Sequence, residues 1–220
     1  MVGDERLRTN KSYNMDLCKG LNFTKDKFQM PIIHKEDFIP SSLVGFNYGL
    51  SKKHIDGAFH FFLDDYQFQR VWKAPERYIE VLKRGEGATS PDFSLYTDMK
   101  TPLQIYNIYR SRLIGAFYQL HGIKIIPTIS WSDVNSFEYC FLGVEKGSVV
   151  AISTIGVKRD KYKLLLWQNG VREMIKQIEP SAILIYGGQV DYDFGDTRVI
   201  YYKNEVTKNW TERSERNVKA

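Results

Sequence analysis

Five short apolar runs, Ala58 to Asp65, Ala88 to Leu95, Ile123 to Asp133, Val149 to Gly156 and Ala182 to Gly188, each end in small, polar or acidic residues. Two long helix-patterned segments and one shorter one lie between them. Such runs are the pattern of parallel strands buried on both faces. Strand and helix signals in alternation predict an α/β domain with right-handed crossovers, and ligands in such sheets bind beyond the carboxyl ends of the strands. The polar ends of the runs therefore mark the expected pocket. A sixth run, Arg198 to Tyr202, adds a last or edge strand. Five or six strands fall short of the eight of a standard barrel, so the expectation is a largely parallel sheet with alternating helices, either a partial or distorted barrel or an open sheet, in a single domain.

A chain of 220 residues with 43% hydrophobic and 26% charged residues fits one domain with modest extensions and has the apolar content to order itself. Residues 1–55, interrupted by Pro31, Pro40, Gly45 and Gly49, read as an irregular leader that packs on an α/β domain of residues 56–202. Residues 203–220 read as a polar extension. The net charge of +5 suits phosphate-bearing partners without demanding them. Cys18 and Cys140 stand in no metal-ligand spacing and do not suggest a disulfide scaffold. Residues 1–10 lack the apolar core of a secretory signal, and no apolar run approaches the length of a membrane span. The expected location is cytoplasmic, with no membrane partner.

Thr101, Pro102 and Gln104 read as an N-cap, a first-position proline and a capping-box partner. Tyr106, Tyr109, Leu113, Phe117 and Leu120 then recur at helical spacing, and Gly122 supplies a left-handed stop. A second amphipathic stretch places Leu164, Trp167, Val171, Met174, Ile175 and Ile178 on one face and is halted by Pro180. Asp65 to Lys73 forms a turn or short helix, and Pro75 opens another over Glu76 to Lys83.

Asp64 and Asp65 leave the first run, and Asp92, Asp98 and Asp133 stand near the ends of the next two. Converging there, they could hold Mg²⁺ or Mn²⁺ through oxygen ligands, or divide into a general acid and base. Equally, each could cap a helix or accept loop amides. Arg70, Arg77, Arg110 and Arg112 lie at the same crossovers, and an Arg fork matches carboxylate or phosphate. Trp131 and Ser132 end the third run, and Ser153 and Thr154 the fourth. The hydroxyls suit an anion, and the indole suits a base or sugar unless it belongs to the core. Gly187 permits close backbone approach. No phosphate loop, nucleophile elbow or zinc spacing is present, and the four histidines form no metal motif.

Three stretches, FFLDDYQFQRVW at 61–72, SPDFSLYTDM at 90–99 and IPTISWSD at 126–133, together with AISTIGV at 151–157, resemble the domain of unknown function 4417 family of phages and mobile elements. The resemblance spans about Pro31 to Gly188. It implies that Asp64, Asp65, Tyr66, Gln67, Arg70, Trp72, Asp92, Ser94, Trp131, Ser132 and Asp133 matter, without assigning them roles.

Three function classes follow. In the first, Asp64, Asp65, Asp92 and Asp133 are catalytic, in a metal-dependent hydrolase of a phosphorylated small molecule or nucleic acid. Gln67, Arg70, Ser94, Asp98, Arg110, Trp131, Ser132, Ser153, Thr154 and Gly187 then bind the ligand. In the second, the same pocket sequesters a signalling nucleotide or contacts nucleic acid without turnover. In the third, the aromatic leader inhibits a host enzyme.

Overall fold

The computed structural model describes residues 7–158 and 160–204. In chain order the elements are α1 (Leu7–Ser12), β1 (Leu43–Gly45), α2 (Phe46–Gly49), β2 (Ala58–His60), α3 (Asp65–Lys73), α4 (Ile79–Leu82) and β3 (Gly87–Thr89). They continue with α5 (Thr101–Leu120), β4 (Ile125–Ile126), β5 (Val149–Ser153), α6 (Lys161–Ile178), β6 (Ala182–Tyr186) and β7 (Arg198–Tyr202). The polar extension expected over 203–220 lies, beyond Asn204, outside the described residues.

Every strand ladder among the described residues is parallel, and an isolated antiparallel bridge pairs Phe23 with Pro31. Strands β1 to β4 pair in sequence order, as do β5 to β7. A parallel bridge between Thr128 and Ala151 joins the two sets: the Ala151 amide donates to the Pro127 carbonyl at 2.9 Å, and the Ile129 amide to the Ala151 carbonyl at 2.8 Å. Strands laid side by side in chain order are the winding of a barrel rather than of a doubly wound sheet.

The core confirms the curl. Leu43, Ala58, Phe62, Ile126, Val149, Ala151, Leu184, Tyr186 and Tyr202 form one buried cluster, although they come from the region of β1 at one edge to β7 at the other. Two further clusters lie against the helices. The Tyr202 hydroxyl donates to the Pro40 carbonyl at 2.6 Å, tying β7 to the segment before β1. No ladder joins those two strands among the described residues, so the barrel is not closed.

Strand β1 lies within the stretch that the sequence marks as an irregular leader. Three residues are too few to show a period, and their pairing with β2, Leu43 opposite Ala58 and Gly45 opposite His60, is a long-range event. The ladders of β2, β3 and β4 are also shorter than the apolar runs that announce them, because the chain leaves the sheet before each run ends.

Helix α5 starts at Thr101, one residue before the expected first position at Pro102, and its N-cap is Lys100, which makes no side-chain cap bond. Gln104 does not close a capping box. Its amide donates instead to the Met99 carbonyl at 2.8 Å, and its carbonyl accepts from the Tyr139 hydroxyl at 2.8 Å. Of the residues at helical spacing, Leu113 and Phe117 are buried and Tyr109 is half-buried, while Tyr106 and Leu120 are exposed. Gly122, at φ 79°, ends the helix as expected. Helix α6 is capped by Asp160, whose carboxylate accepts from the Tyr162 and Lys163 amides, and it buries Trp167, Val171, Met174 and Ile178. No helix of the described residues is long and apolar enough to cross a membrane.

Candidate functional site

A cavity of about 750 Å³ opens at the carboxyl ends of β3, β4 and β5, where the α/β rule places ligands. Its wall is built from three connections. The loop after β3 contributes Asp92 and Leu95 to Asp98, the segment after β4 contributes Ile129 to Ser132, and the end of β5 with the start of α6 contributes Ser153, Tyr162, Lys163 and Trp167, among others.

Asp92 is the carboxylate set deepest in this wall. Burial pushes its pKa up to about 7, and the Asp65 carboxylate adds to the rise; a hydrogen bond from the Ser130 side chain and the charge of Arg112 oppose it. Its neighbour Arg112 is fully buried on α5, and each of its three nitrogens donates to a main-chain oxygen: Nε to Leu142 at 2.9 Å, Nη1 to Thr128 at 2.9 Å and Nη2 to Cys140 at 2.8 Å. Burial lowers the Arg112 pKa to about 10, so the group remains a cation near neutral pH. It clamps the segments after β4 and supplies charge to the cavity wall from behind.

Asp65 begins α3 and accepts from the amide of Ser94 at 3.1 Å and its hydroxyl at 2.8 Å. The Ser94 carbonyl in turn accepts from the Asn107 amide at 2.7 Å, and Asn107 accepts from Arg110 at 2.6 Å. Ser94 thus holds Asp65 close enough to act on Asp92, two residues along the same segment. Arg110 is packed over the Phe93 ring at 3.8 Å, with Tyr106 at 5.0 Å and Trp72 at 5.8 Å. It is a structural cation, and it does not line the cavity.

Of the residues expected at the site, Asp92, Asp98, Trp131, Ser132 and Ser153 line one cavity. The convergence of four aspartates is not what the chain builds. Asp133 caps the 3₁₀ turn Val134–Glu138, accepting from the Asn135 amide at 2.9 Å. Asp64 is exposed at the N-cap position of α3. Both stand at strand ends, but what they meet there is solvent and the next few residues, including the side-chain amides of Gln67 at 3.5 Å from Asp64 and Asn135 at 3.3 Å from Asp133. Gln67 accepts from the Asn47 side chain, and Arg70 is exposed. Thr154 donates to the Gly188 carbonyl at 2.8 Å, and Gly187, at φ 124°, packs against the Thr154 side chain. None of these four lines the cavity. Among the described residues no group of three or more His, Cys, Asp or Glu side chains is arranged to hold a metal ion.

Sequence reasoning missed Tyr96, Tyr162, Lys163 and Trp167. The last three belong to the opening turns of α6, and the first turn of the helix that follows a strand borders the same end of the sheet. That position was their available signal. Trp167 donates from Nε1 to the Ser153 carbonyl at 3.0 Å, which locks α6 onto the end of β5.

Compared with known proteins, residues 23–203 match a family model described as a domain of unknown function (DUF4417). The chain is 40% identical over 166 residues to the Gene 1 protein of Mycobacterium phage L5, covering 73% of this chain and 71% of that protein. It is 36% identical over 163 residues to the Gene 1 protein of Mycobacterium phage D29, covering 73% of this chain and 60% of that protein. No solved structure matches.

Proposed function

The chain belongs to the DUF4417 family, and from that premise we propose that it serves a phage or mobile element by binding a phosphorylated ligand of the nucleotide class in the strand-end cavity. One observation carries this reading: a single cavity of about 750 Å³ combines aromatic walls, a half-buried carboxyl and a lysine. The volume suits a nucleotide-sized ligand. Trp131, Tyr96 and Tyr162 offer ring faces to a base, while Asp92, Ser130 and Ser132 offer the few directional polar contacts that fix a heterocycle's edge. Lys163 supplies a cation for phosphate. The helix end itself has less to offer, since Asp160 already takes the Tyr162 and Lys163 amides.

A second reading, turnover of the bound ligand, is favoured by Asp92 alone. A carboxyl with a pKa of about 7 is matched to general acid–base work near neutral pH. The four-aspartate metal-dependent version has no geometric support.

Isothermal titration of the protein with nucleoside mono- and triphosphates and a short single-stranded oligonucleotide, followed by chromatography of the mixtures, tests both readings. Saturable binding that Trp131→Leu weakens supports the site. Absence of binding by every probe at millimolar concentration overturns it, and bound but unaltered nucleotide removes the turnover reading only.

A further inference from the structure

Gly170 lies buried in the interior of α6, ten residues into an 18-residue helix. Glycine is among the least favourable residues at such a position, so its presence there has a packing reason. That reason is Trp131. A methyl group at position 170 would overlap one face of the indole, over Cε2, Nε1 and Cδ2 of its five-membered ring. The same indole donates from Nε1 to the Leu166 carbonyl at 3.1 Å, one turn before Gly170, and Phe141 flanks it at 6.2 Å. Trp131 also lines the cavity.

We propose that Trp131 is a preset stacking wall for a planar ring of the ligand, and that Gly170 is the positioning residue that seats it. The inference rests on the nucleotide reading of the same cavity and adds which end of the ligand the β4 side receives. A tryptophan covered on one face by a helix and held at its nitrogen by a carbonyl keeps its other face aimed without a ligand present. Stacking then needs little further ordering, which is how preorganisation raises affinity. Adding a β-carbon at position 170 drives the ring toward the cavity, which narrows the slot and tilts the face, while Lys163 on its own turn of α6 is left in place.

The test uses the full chain labelled with 5-fluorotryptophan, the Trp131 ¹⁹F resonance being assigned with Trp131→Phe. Nucleoside monophosphates, the parent nucleosides and ribose 5-phosphate are titrated into the wild type, Gly170→Ala, Trp131→Leu and the double variant. Base-bearing probes are expected to shift the Trp131 resonance, and Gly170→Ala to weaken them at least fivefold, the low end for loss of one aromatic stacking face. Ribose 5-phosphate is expected to bind both proteins alike, and Gly170→Ala to have no further effect once Trp131 is leucine.

Equal losses for ringed and ringless probes in Gly170→Ala, or unchanged affinity for bases, overturn the proposal. Should Gly170→Ala fail to fold, Trp131→Leu decides alone, by losing base-bearing probes selectively or not. Nucleotides that bind without moving the Trp131 resonance sink this inference and leave the nucleotide reading standing. Nucleosides that bind and shift it while phosphate adds nothing sink the phosphorylated-ligand reading alone.

Discussion

The Asp92 carboxyl and the buried Arg112 guanidinium influence one another without forming an ion pair: every Arg112 nitrogen that donates does so to a main-chain oxygen, and no salt bridge joins the two residues. The arginine binds backbone and the aspartate faces the cavity, so the pair couples the fold's interior to the site. Each half has a separate experimental signature.

Loss of Arg112 strands three carbonyls. Replacing it by methionine leaves the Leu142, Thr128 and Cys140 oxygens unsatisfied in a buried place. A destabilisation of about 3–5 kcal/mol is expected, the range for breaking a buried charged network. Urea unfolding monitored by circular dichroism measures it, and a loss under 1 kcal/mol would show that the clamp is dispensable.

Asp92 sets a pH dependence of stability. Its folded pKa of about 7 lies above the ordinary carboxylate value of 3.8, so the native state binds the proton more tightly than the unfolded chain does. This group's contribution is therefore fully favourable below about pH 4 and is lost as the pH rises through 7. Asp92→Asn, which keeps the neutral shape, is expected to gain on the wild type across that window. The gain is at most about 4 kcal/mol at 1.36 kcal/mol per unit, and smaller to the extent that the carboxyl meets water in the cavity. Parallel melting curves from pH 4 to 8 check this, and a constant offset between the two proteins would refute it.

His60 acts in the opposite direction. It is buried at the end of β2 against Tyr186, ring centroids 4.1 Å apart; its Nδ1 accepts from the Phe62 amide at 3.2 Å, and its Nε2 has no partner. Burial lowers its pKa from 6.5 to about 3. The native state therefore binds fewer protons than the unfolded chain between those values, and this contribution is lost as pH falls from 6.5 toward 3. His60→Leu is expected to flatten the acid limb of the stability curve in that window, as thermal melts between pH 3.5 and 7 would show. An unchanged limb would mean that other groups set it.

Asp133 separates a cap from a site. Asp133→Ala removes the acceptor for the Asn135 amide, and a loss of about 1 kcal/mol is expected with ligand affinity unchanged. A calorimetric titration in which this variant loses binding as Asp92→Ala does would return Asp133 to the site.

The strands were legible because burial on both faces leaves an apolar run whatever the neighbours are: β2 to β6 all fall within or beside the five runs, and β7 spans Arg198–Tyr202 as read. Strand β1 was not legible, since Leu43–Gly45 owes its state to β2 rather than to any local pattern. The cavity's position followed from the polar run ends, and Asp92, Asp98, Trp131, Ser132 and Ser153 line it. Its composition did not follow. Adjacency in sequence places a carboxylate at the correct end of the sheet without saying which way it turns, so Asp64 and Asp133 stayed with solvent and their own local turns. Arg110 and Arg112 carry one charge each on the same helix, two residues apart, yet one sits among aromatic rings and the other among carbonyls. Only tertiary packing distinguishes them.

The most direct test is a crystal structure of the protein grown with a nucleoside monophosphate at saturating concentration. The ligand is expected in the strand-end cavity, its ring on Trp131, its edge toward Asp92 and its phosphate toward Lys163. A vacant cavity beside nucleotide bound elsewhere on the molecule would contradict the account.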